Sequence, residues 1–128
     1  MSHPGSSIKV TITNAKGLVQ KSGSGVALFG ATESVAANAT ATNAPIAATT
    51  SLALCTSGDN AHKVNLPAIE DLDIGHTILV ASIGAADVVI ETPGDGTING
   101  AASITQGENT AALLIKSGAL TWVATTGV

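Results

Sequence analysis

The sequence predicts an all-β protein of short strands, an antiparallel sandwich or barrel of jelly-roll type with an extended N-terminal arm, assembled as an oligomer. Val, Ile and Leu together number 31 against one Phe, one Trp and no Tyr, so the core is built from aliphatic, largely β-branched side chains that suit pleated strands. From Ser51 onward, short apolar runs are separated by Gly, Pro, Asn or Asp at the spacing of sandwich or barrel strands. About half of the 128 residues are Ala, Thr, Gly or Ser, which bury little area each. A chain so poor in bulky groups gains stability by assembling with others.

The elements follow in order. Ile8, Val10 and Ile12 alternate with Lys9, Thr11 and Thr13, a period-two strand over Ser7 to Asn14. Val26 to Phe29 reads as a second short strand ended by Gly30. Thr32 to Thr50 holds two branched aliphatics, Val35 and Ile46, no aromatic and no alternation, so it is expected to be an extended docking arm ordered by a partner. Residues 1–50 then form N-terminal strands plus arm, and 51–128 a compact β-module. Strands of the module are expected at Leu52 to Cys55, Lys63 to Pro67, Thr77 to Ile83, Asp87 to Thr92, Thr110 to Lys116 and Leu120 to Thr125. Pro93-Gly94 and Asn99-Gly100 supply the left-handed backbone that tight turns need. In the strand Ala111 to Lys116 both faces are largely apolar, Ala111, Leu113 and Ile115 on one side and Ala112, Leu114 and Lys116 on the other, so something is expected to cover the second face.

Charge narrows the function classes. Five basic residues, all Lys, against nine acidic ones give a net charge of −4. No basic stripe is present to neutralise a phosphate backbone, so neither nucleic acid nor an anionic membrane is an expected partner. The charge-free run from Ser34 to Gly58 is too rich in Thr, Asn and Ala to span a bilayer. The single cysteine, Cys55, forms no intramolecular disulfide, and Met1 to Gly5 has no secretory character, so synthesis in the cytoplasm is expected.

The chemistry-bearing residues are scattered. Ser22 to Gly25 and Gly94 to Gly100 match neither a dinucleotide nor a P-loop spacing and read as turns. Cys55 sits within an apolar strand, where a thiol is inert packing. His62 and His76 each follow an aspartate by three residues, Asp59 and Asp73, without the spacing of a metal site, and Glu70-Asp71-Leu72-Asp73 lacks the glycine and distal glutamate of a calcium loop. No catalytic, cofactor-binding or metal-ligating residue is assigned, no cofactor is expected, and the chain reads as a non-enzyme. Trp122 is expected to be buried in the core or at a subunit contact, in phase with Leu120 and Ala124.

The remaining information lies in the order of the second half. Val64-Asn65-Leu66-Pro67 is followed by Asp73 to Val80, Gly84 to Ile90, Gly94-Asp95-Gly96-Thr97-Ile98-Asn99-Gly100-Ala101, Thr110 to Ile115 and Leu120-Thr121-Trp122. This order resembles a module of tailed-bacteriophage structural proteins found in head decoration (cement) proteins, head fibres and tail-fibre segments, the glycine-rich loop being its most distinctive part. The resemblance implies an all-β homotrimer on the virion with no enzymatic activity. Small size, the absence of a stalk and the low-complexity arm before the module favour a cement protein that binds the major capsid protein on the capsid surface and stabilises contacts between capsid subunits. A tail- or head-fibre segment acting in host adhesion is the second reading, and a small enzyme or ligand-binding β-domain the third.

Overall fold

A computed structural model describes Val10–Thr13, Gly17–Gln20 and residues 30–125. It is all-β, with strands β1 (Val10–Thr13), β2 (Gly17–Gln20), β3 (Ala31–Ala36), β4 (Thr50–Thr56), β5 (Lys63–Asn65) and β6 (Thr77–Ser82). There follow β7 (Val88–Glu91), β8 (Thr97–Ile98), β9 (Ser103–Gln106), β10 (Ala111–Gly118) and β11 (Thr121–Thr125). Among the described residues β1 and β2 pair with each other, antiparallel, and with no other strand. The others form a six-stranded sheet in the order β3-β4-β6-β10-β11-β8 and a three-stranded sheet β5-β7-β9.

Both larger sheets have mixed strand orientation, which corrects the expected antiparallel, jelly-roll-like arrangement. From β4 to β7 the strands alternate between the two sheets, and from β3 to β7 each strand lies parallel to the one before it in its own sheet. Thus β3, β4 and β6 are parallel in one sheet, and β5 and β7 in the other. This is a solenoid-like winding, in which the crossover that parallel strands require is supplied by a strand of the opposite sheet instead of a helix. After β7 the direction reverses: β9 pairs antiparallel with β7, and β10 with β6. The β10–β11 hairpin closes the large sheet, with β8 parallel to β11 at its edge.

The segment expected as a docking arm is the first winding. β3 lies beside β4, and the chain then runs along β5, where Pro45 bridges Asn65 in parallel and Asn38 bridges Lys63. Backbone N–H groups of Ile46 and Asn65 donate to the carbonyls of Asn65 and Ala44 at 2.8 and 2.9 Å. Val35, Ala41, Ala44 and Ile46 are buried, so small residues are ordered here by lying close against a formed sheet edge. Glu33 points toward the interior from this edge strand, and its carboxylate accepts from Ala47 N–H at 3.1 Å and Thr50 Oγ1 at 2.6 Å. An inward-pointing charge on an edge strand opposes uncontrolled edge pairing. The expected strand at Val26 to Phe29 lies outside the described residues, while Val10–Thr13 falls within the expected Ser7 to Asn14 strand.

The core lies between the two sheets. Val35, Ala53, Cys55, Ile78, Val80, Ala112, Leu114 and Trp122 face it from the large sheet, and Val64, Val88 and Ile90 from the small one. Ala53 and Ala112 flank Val80 in the ladder, so small and large side chains alternate across neighbouring strands and the alanine-rich composition fills a thin interior. Gly84 is required by close approach: a Cβ there would lie 2.5 Å from Ser57 N and 2.8 Å from Ser57 O.

Candidate interaction surface

The side chains on the outer face of the six-stranded sheet are in register across strands. One row runs Thr32, Leu52, Leu79, Leu113, Thr125; the next runs Ser34, Leu54, Ala81, Ala111; a third joins Thr77, Ile115 and Val123. None of these residues is charged, although the chain carries 14 charged side chains in all. Strand alternation puts them here: Ile78, Val80, Ala112 and Leu114 turn inward with no exposure, so Leu79, Leu113 and Ile115 turn out, 36–38% exposed, and Val123 is 51% exposed. Ile83 lies just beyond the end of β6, and Ile83, Ala81, Ala111, Thr110 and Asn109 line a shallow open depression of about 310 Å³ at one end of the face.

Beneath Ile115, on the inner side, lies a buried polar knot. Lys116 is 5% exposed, and its Nζ donates to the carbonyl of Ile69 at 2.7 Å and to that of Leu72, tying β10 to the short 3₁₀ turn Ile69–Asp71. Lys116 is paired across the hairpin with Trp122, which is 1% exposed, and the His76 ring stands edge-on to the indole at 6.4 Å. Trp122 Nε1 and His76 Nε2 are buried with no hydrogen-bond partner among the described residues. The expected burial of Trp122 is therefore observed. Leu120, by contrast, sits in the β10–β11 connection, 44% exposed, and does not share its face.

The glycine-rich loop is held by Asn99. Asn99 and Gly100 have φ of +51° and +82°, and Ile98 and Ala101 exchange backbone hydrogen bonds across them at 2.7 and 2.9 Å, a two-residue turn of the kind Asn-Gly favours. Asn99 N–H donates to Trp122 O, its Nδ2 donates to Ala124 O and its Oδ1 accepts from Ala124 N–H, all at 2.9 Å. The amide side chain thereby continues the β8–β11 ladder as a mimic of backbone. The loop is a structural lock.

The other residues singled out in the sequence stay apart. His62 and His76 donate their backbone N–H groups to Asp59 O and Asp73 O, both at 3.0 Å, closing turns. Glu70, Asp71 and Asp73 are exposed around the 3₁₀ turn that Lys116 grips. Among the described residues no three His, Cys, Asp or Glu side chains converge as a metal site would require. Cys55 is buried, and burial, with the Glu33 charge adding to it, pushes its thiol up to about 12. Such a thiol is protonated and unreactive near neutral pH. No helix among the described residues is long and apolar enough to cross a membrane.

Comparison with protein-family models, with characterised proteins and with solved structures finds no match.

Proposed function

We propose that the chain is a non-enzymatic structural protein of a tailed-phage virion, a cement protein that binds the assembled head as a homotrimer and stabilises contacts between major capsid subunits. The observation that carries this reading is the broad uncharged outer face of the six-stranded sheet, a surface suited to assembly and not to the capture of a small polar ligand. The order of strands and turns between Val64 and Val123, which resembles the virion module, supports it. A protein that binds the assembled shell and not its free subunits stabilises the shell by linkage, and three linked copies add avidity to modest individual contacts.

Two measurements on particles test the proposal. Antibody against the chain should label heads in electron micrographs, and heads that carry the chain should rupture at a higher temperature than heads prepared without it. Unlabelled particles would remove the proposal. Label confined to fibres would favour the second reading, a head- or tail-fibre segment in host adhesion. The solenoid-like winding lends that reading its support, because windings stack in one dimension.

A further inference from the structure

We propose that the outer face of the six-stranded sheet is the surface on which copies of this chain meet, each copy covering the Leu52, Leu79, Leu113 and Ile115 side chains of its neighbours. The inference rests on the homotrimer of the preceding section and assigns its interface.

The first argument is chemical complementarity. The three rows on this face contain no charged residue, whereas the small sheet carries the Lys63–Glu91 ion pair at 2.6 Å on strands β5 and β7. A partner with charged side chains opposite Leu79 and Leu113 would have to leave those charges desolvated and unpaired, at high cost. A second copy presents aliphatic and hydroxyl side chains to aliphatic and hydroxyl side chains, so nothing is stranded.

The second argument is area. The five longer strands of the sheet, spaced about 4.8 Å apart and about 20 Å long, give a face of roughly 500 Å² in projection, comparable to the largest surface patches on ordinary monomers. In a ring of three each face is shared between two neighbours, so each pairwise contact buries roughly 500 Å² in projection, less than the about 1,200 Å² of a standard interface, and the assembly is held by closure of the ring and dissociates on dilution. The face also interlocks: leucines in one row stand beside the Ala81–Ala111 step of the next, a relief of large and small residues into which a neighbour's leucines fit.

Charge substitution tests the assignment. Leu113→Glu and Leu79→Glu place a carboxylate where it is hydrated in a lone chain and buried in the assembly. By light scattering the full-length chain should have about three times the 12.5 kDa chain mass, and each variant should fall to one times that mass with unchanged circular dichroism. Thr105→Glu, an exposed position on β9 of the small sheet, should keep the parental mass. Leu113→Thr retains a strand-forming side chain and guards against loss of folding: its dissociation constant on dilution should rise at least tenfold. A folded Leu113→Glu chain of parental mass, a parental chain that is itself monomeric, or an unchanged dissociation constant for Leu113→Thr would each overturn the assignment. A variant that stays trimeric but no longer coats heads would overturn it too, by giving the face to the capsid while leaving the cement function standing. A monomeric variant that still coats heads would uphold the interface and the function separately.

Discussion

Replacing Trp122 probes the core at its largest side chain, and two substitutions should behave very differently. Trp122→Ala removes the whole indole from a site with 1% exposure, in the strand that pairs with β10 and carries the Asn99 lock. Truncations of this kind cost about 3 to 5 kcal/mol, a large share of the about 5 to 15 kcal/mol by which domains are stable. At roughly 4 °C per kcal/mol the melting temperature should drop by about 12 to 20 °C. Trp122→Phe removes two ring carbons' worth of burial, about 1.5 kcal/mol, but also removes Nε1, a buried donor without a partner among the described residues, whose desolvation costs about 1 to 3 kcal/mol. The two terms nearly offset, so Trp122→Phe should lie within about 1 kcal/mol of the parent. Urea denaturation followed by circular dichroism reads both, since the substitutions delete the only tryptophan. A Trp122→Phe chain as unstable as Trp122→Ala would refute the reasoning, because it would mean that Nε1 makes a hydrogen bond the protein depends on.

Further outcomes follow from single contacts. Gly84→Ala drives a methyl group into the main chain of Ser57, which has no flexible end to yield, and should cost about 1 to 3 kcal/mol in chemical denaturation. Asn99→Ala deletes both side-chain hydrogen bonds to Ala124 and should cost about 1 to 3 kcal/mol, with faster hydrogen exchange at Ala124; exchange rates unchanged from the parent would show that the loop does not lock β11. The Cys55 thiol ionises from its ordinary value of 9.0 when unfolded but only near about 12 when folded, so its contribution is intact below about pH 9 and declines as pH rises toward 12. Cys55→Val should therefore lose less stability than the parent over that window, and a thiol reagent near neutral pH should modify the folded parent only as fast as it unfolds.

Much of the fold was legible because alternation and turn chemistry are local. The runs at Leu52 to Cys55, Thr77 to Ile83, Asp87 to Thr92 and Thr110 to Lys116 became β4, β6, β7 and β10, and Asn99-Gly100 became a tight turn. Strand direction was not legible. A period of two says which side chains share a face and nothing about whether the neighbouring strand runs the same way, and connections of a few residues serve a hairpin or a solenoid corner equally well. β3 escaped for another reason: with Glu33 and Val35 as its inward residues, it owes its order to the ladder with β4 and to the Glu33 contacts at Ala47 and Thr50. The interaction surface was visible in outline, since Ala111, Leu113 and Ile115 advertise a second apolar face on β10. Its extension over β4, β6 and β11 depends on register between strands far apart in sequence. The Lys116 knot had as its only signal a lysine in the inward phase of an apolar strand.

The most direct measurement is a crystal structure of the assembled full-length chain, read at Leu79 and Leu113. These side chains should be buried against the same face of neighbouring copies around a three-fold axis, while Thr105 on the small sheet remains exposed. An assembly joined through the β3 edge or through the small sheet, with Leu79 and Leu113 still open to solvent, would contradict that arrangement.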